Sequence, residues 1–183
     1  MTRDARTELH WTYRVCPIDA PEEGFGPLAG FVSLWRERMK VDGAPPGRGD
    51  FEAPDFRPWM GRVFIARIER DPFAARFSLW GTTLARWWQV DYTGKLLGSE
   101  SKNPGLWDMV ELEYLKAMDR TPFIGIASGF LDQHDRSHVH VASVDLPLFD
   151  DAGLSHVISA HVQLAPDQDV AAVIPNAALA PEF

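Results

Sequence analysis

Residues 62–95 read RVFIARIERDPFAARFSLWGTTLARWWQVDYTGK, and the fold turns on this stretch. Val63, Ile65 and Ile68 are β-branched and suit a pleated surface, so Arg62 to Glu69 reads as a strand. Arg70-Asp71-Pro72 is a turn signal. A second strand follows from Ala74 to Trp80, with Phe77 and Leu79 alternating against Arg76 and Ser78. Two strands across so short a turn make a hairpin. Gly81-Thr82-Thr83 ends it and can cap a short helix, Leu84 to Gln89, which carries Trp87 and Trp88. Asp91 to Lys95 is a further turn.

Upstream, Phe31, Leu34, Trp35 and Arg38/Met39 recur at helical spacing, with Arg36, Glu37 and Lys40 on the other side. Gly43 and Pro45-Pro46 close that helix. Residues 43–61 are too rich in Pro and Gly for regular structure, and Phe51, Phe56 and Trp59 can pin them to the body. Downstream, Leu106, Val110, Tyr114 and Met118 lie four apart on a helix from about Leu106 to Asp119, stopped by Pro122. Three strands follow, Phe123–Asp132, His138–Leu148 and His156–Leu164, the last two joined by an Asp150-Asp151-Ala152-Gly153 turn. The expected class is α+β: one five-stranded antiparallel sheet with helices on one face and a helix before it. The chain divides into an irregular leader (1–24), a domain (25–164) and a C-terminal tail of little periodicity (165–183). Within the leader, Trp11, Tyr13 and Val15 alternate as a short edge strand would.

At 183 residues there is room for one domain with a core of its own. The net charge of -8 argues against nucleic acid, whose phosphates are held by Lys and Arg. No apolar run approaches the roughly 20 residues of a membrane helix, and Met1 to His10 is not a signal segment. Cys16 is the lone thiol, which suits a reducing cytoplasm.

Six weak motifs in order resemble one family of short bacterial proteins within the PAS superfamily. They are Leu34-Trp35-Arg36; Pro46, Arg48 and Asp50; Gly61; Phe77, Leu79, Gly81 and Thr82; Asp91, Thr93, Gly94 and Lys95; and Leu146-Pro147-Leu148 with Asp150, Asp151 and Gly153. The match runs from about Phe31 to Leu164. It implies a sheet cradling helices and often a small ligand, and a stand-alone sensory or regulatory module rather than an enzyme. In that fold Trp87, Trp88, Tyr92 and Tyr114 sit on the helical side, where they would either wall a site for a small apolar or aromatic ligand or simply fill the core. The helix of Phe31, Leu34 and Trp35 would either dock on the domain core or present those residues to a second copy or a regulatory partner. The chain carries no output segment of its own, so a signal would have to pass through such a contact.

Chemistry beyond that is sparse. His138 and His140 share a strand face and, with Asp135 or Asp145, could hold a metal, but no further ligand set supports one and a polar outer face is the preferred reading. The long helix has no His for haem, and Cys16 lies far from where flavin photochemistry places its thiol. The cofactor is left open. Ser128 and Ser143 lack a nucleophile's turn, and Arg48 with Asp50 reads as an ion pair fixing the Pro-rich loop. Two other readings stand beside the sensor. One is an interaction domain with a filled core. The other is a small α+β acid–base enzyme, which requires a buried Asp or Glu facing a cavity with a raised pKa.

Overall fold

The hairpin expected at residues 62–80 forms from β2 (Val63–Arg70) and β3 (Phe73–Trp80) in the computed structural model, which describes residues 11–100 and 104–183. Residues 1–10 of the leader, and the side chain of Leu106, lie outside the described residues. The three later strands are β4 (Ile124–Leu131), β5 (Arg136–Asp150) and β6 (Gly153–Leu164). The sheet has six strands, not five. The alternation at Trp11, Tyr13 and Val15 is a strand, β1 (Trp11–Cys16), which pairs with β4. The order is β1-β4-β5-β6-β2-β3, antiparallel throughout.

Helices cover both faces of this sheet, where one was expected. The reason lies in β5, which buries apolar side chains on both of its parities. Ala142, Val144, Leu146 and Leu148 pack in one core layer, and Val139 and Val141 belong to the other. The first layer is closed by α1 (Ala29–Glu37), which contributes Phe31, Val32 and Trp35, all fully buried. Ile174, Ala177 and Ala180, around the short α4 (Val170–Val173), complete that layer, so residues 165–183 are docked onto the body. The second layer lies under α2 (Thr82–Trp88) and α3 (Pro104–Arg120), with Leu84, Val110, Tyr114 and Met118 buried against the sheet.

Local details position the second layer. The first N–H groups of α2 are satisfied not by a threonine side chain but by the Gly61 carbonyl, which accepts from Thr83 and Leu84 at 2.8 and 3.1 Å. Arg70 grips Asp119 through two hydrogen bonds of 3.1 Å, and Asp119 also accepts from the Leu154 N–H, tying the end of α3 to both hairpins. Arg48 and Asp50 do not pair with each other. Arg48 donates to the Phe51 carbonyl, and Asp50 accepts from the Gly47 N–H.

Both edges of the sheet are occupied. The outer side of β3 bonds to residues 94–97 (Phe77 N–H to the Lys95 carbonyl at 3.0 Å, Leu97 N–H to Ala75 at 2.8 Å). The outer side of β1 bonds to the chain's last residues (Val15 N–H to Pro181, Phe183 N–H to Tyr13). Within the β2–β3 ladder, Ile65 faces Leu79 and Ala66 faces Phe77, leaving Ser78 as the extra residue of a bulge. The expected alternation of Phe77 with Leu79 therefore breaks. Phe77 and Trp80 share the second layer, while Leu79 turns away and is 40% exposed.

Candidate functional site

The odd-numbered residues of β5 from Val139 to Asp145 face α2 and α3, and two of them are polar. Ser143 and Asp145 follow Val139 and Val141 on the same side, and their partners across the ladder on β6 are His161 and Ser159. Four polar side chains thus meet at the centre of the sheet, each at most 6% exposed. A buried polar group must find partners or cost stability. Asp145 finds three: its carboxylate accepts from Ser159 at 2.5 Å, from the Tyr114 hydroxyl at 3.0 Å and from Ser143 at 3.1 Å.

Burial still outweighs these bonds and raises the Asp145 pKa, while the three hydroxyl donors pull it down. Tyr114 and Tyr13, whose rings lie 5.0 Å apart, are pushed well above the usual phenol range by burial, with the nearby carboxylates of Asp145 and Glu111 adding to it. His161 is pushed down to about 3 by burial, the Arg62 carbonyl opposing. It is a neutral imidazole near pH 7, and its Nδ1 makes no hydrogen bond among the described residues.

Tyr114 reaches Asp145 by passing over Gly125, which faces Asp145 across the β4–β5 ladder. A Cβ at position 125 would overlap the Tyr114 hydroxyl. Gly125→Ala is therefore expected to push Tyr114 off the carboxylate and to cost about 1–3 kcal/mol. A urea midpoint lowered further than that of Tyr114→Phe, which loses only the bond, is the expected measurement.

Beside this polar group lies a partly open cavity of about 70 Å³, walled by Phe64, Phe77, Trp80, Trp88 and Tyr92 with Asp145, Ser143 and His161 at its base. Neighbouring walls stand nearly perpendicular: Trp80 and Trp88 at 88°, Phe77 and Trp80 at 76°, Trp88 and His161 at 89°. Glu111 of α3 and His134, which lies 3.5 Å from the Tyr92 hydroxyl, reach its rim.

Of the four side chains expected to face a ligand, Trp88 and Tyr92 wall this cavity. Tyr114 lines an adjoining space of about 10 Å³ and touches the site through Asp145. Trp87 packs half-buried against the same layer without reaching the cavity. The partner-facing set is placed elsewhere: Phe31 and Trp35 are spent on the chain's own core, and Leu34 is half-buried against it. His138 is exposed, whereas His140 stacks on Phe130 at 4.3 Å with Nδ1 3.2 Å from the Ala165 carbonyl. Among the described residues no three His, Cys, Asp or Glu side chains converge as a metal site would need. Cys16 is buried on the opposite face, its pKa raised to about 11.

Sequence reading did not pick out Ser159, Phe64 or Trp80, and considered Ser143, Asp145 and His161 only for other chemistry. A signal existed in the parity of β5, where a carboxylate occupies the register of Val139 and Val141. Comparison with family models, with curated proteins and with solved structures finds no match to this chain.

Proposed function

We propose that this chain is a PAS-like sensory module that holds a small ligand between its sheet and α2–α3 and signals through a protein partner. The observation that carries this reading is the aromatic cavity closed at its base by the Ser143, Asp145 and His161 side chains. Apolar walls with a few fixed polar groups are what small-molecule sites are made of. Further support comes from strands β2 to β6. They form an unbroken antiparallel sheet with helices between the second and third strands, the layout that the resemblance implies, and β1 adds an edge. No helix of the described residues is long and apolar enough to cross a membrane. Output through a second copy or a regulatory protein would use surfaces other than Phe31 and Trp35, which are buried.

Native mass spectrometry of the purified protein tests this. A defined small-molecule mass retained by wild type, and lost in Trp88→Leu, is the expected result. An apo mass in both, with no small molecule perturbing tryptophan fluorescence in a screen, would leave an interaction domain with a filled core.

One observation favours a second reading, the acid–base enzyme. Asp145 is buried, lies at a cavity and has a raised pKa, as a carboxylic acid poised to donate a proton would. Against it, both carboxylate oxygens are already engaged by hydroxyls of the protein. The two readings separate on the fate of the bound molecule. A sensor returns it unchanged, whereas an enzyme converts it at a rate that Asp145→Asn abolishes.

A further inference from the structure

We propose that the cavity beside Asp145 takes a small organic cation, an ammonium of about five heavy atoms. This names the ligand class of the site above and rests on the reading of that cavity as a binding site.

Charge carries the first part of the case. Two carboxyl groups, Asp145 and Glu111, border the cavity, and its described lining holds no lysine or arginine. A carboxylate or phosphate ligand would enter a low-dielectric space with no counter-charge in that lining and with acids beside it. A cation meets the opposite arrangement. His161 adds no repulsion, because burial keeps its imidazole neutral, and its Nδ1 is unpartnered among the described residues.

Shape carries the second part. Phe77, Trp80, Trp88 and Tyr92 stand at steep angles to one another with adjacent centroids 4.8–5.4 Å apart, as walls of a box do. Ring faces carry negative quadrupole density, and such boxes bind ammonium groups through it. Size sets the limit. A water requires roughly 10–15 Å³ of such space, so the 70 Å³ here corresponds to a molecule of tetramethylammonium scale.

The test titrates wild-type protein near neutral pH with three probes of nearly the same shape: tetramethylammonium, neopentyl alcohol and pivalate. Tryptophan fluorescence and the indole N–H resonances report binding. Tetramethylammonium is expected to bind at least about tenfold more tightly than the alcohol, with pivalate silent. Trp88→Leu should erase the cation's advantage while leaving the alcohol within a few fold. Should the alcohol bind as well as the cation, or pivalate bind better, the cation assignment falls and the ligand-binding reading survives. Cation binding that Trp88→Leu leaves untouched places the ion elsewhere and also overturns the assignment. If no probe binds and the protein retains no mass, both fall together.

Discussion

Trp35→Ala is expected to lower the unfolding free energy by about 3–5 kcal/mol, a large share of the roughly 5–15 kcal/mol that holds a domain together. Trp35 is fully buried between α1 and the sheet, and its Nε1–H donates to the Pro147 carbonyl at 2.9 Å. Truncation would remove the ring from the first core layer and leave a buried carbonyl without its donor. Trp35→Phe keeps most of the volume and loses mainly the bond, so about 1–2 kcal/mol is expected. Urea denaturation compares the two. A small shift for the alanine variant would mean that α1 is loosely attached. The helix would then again be available as a partner surface.

The second large effect is on acid stability, and it runs through His161. Its pKa falls from an ordinary 6.5 to about 3 in the fold, because burial disfavours the charged ring. A depressed folded pKa contributes stability that is present above the unfolded value and lost as pH drops toward the folded one. Between about pH 6.5 and 3 the loss is about 1.4 kcal/mol per unit, or about 4–5 kcal/mol in all. Asp145 acts in the opposite sense. Its raised pKa favours the protonated carboxyl, so its contribution is present below the ordinary 3.8 and lost as pH rises through the folded value. The net acid loss is the difference of the two. His161→Phe keeps a ring against Phe64 and Trp88, which lie 5.4 and 5.7 Å away. It should remove the loss above about pH 4, leaving the Asp145 trend exposed. Urea midpoints measured across that range decide it. An unchanged slope in the variant would assign the lability to carboxylates such as Asp119, whose pKa the Arg70 guanidinium lowers.

Local signals were enough for the elements. The β-branched residues of β2, the four-residue spacing of Val110, Tyr114 and Met118, and the Asp150–Gly153 turn each place a structure close to where it forms. What local signals could not reach was pairing over distance. Trp11–Val15 alternates like any short strand, and nothing near it says that it lies against residues 124–129. The second covered face was legible in principle, since β5 carries apolar residues on both parities (Val139 and Val141 against Ala142, Val144, Leu146 and Leu148), a mark of a strand buried on both sides. So was the docking of residues 165–183, where Ile174, Ala177 and Ala180 recur every third position within an otherwise patternless stretch. The site was the least legible part. Tyr114 and Asp145 lie 31 residues apart, and only the glycine at 125 lets them touch.

Ser78 shows how little separates this cavity from none. The bulge there works as a frame shift in the alternation of β3, moving Trp80 onto the side of Phe77 and stacking it on Phe64 at 5.6 Å. Drawing Ser78 into the ladder, so that the bulge closes, would change neither the charge nor the apolar content of the strand. It would restore strict alternation and leave Leu79, in place of Trp80, opposite Phe64 on the cavity side. The aromatic box is specified by register as much as by residue kind, so a one-residue shift of pairing in this hairpin should be more damaging to the cavity than most substitutions.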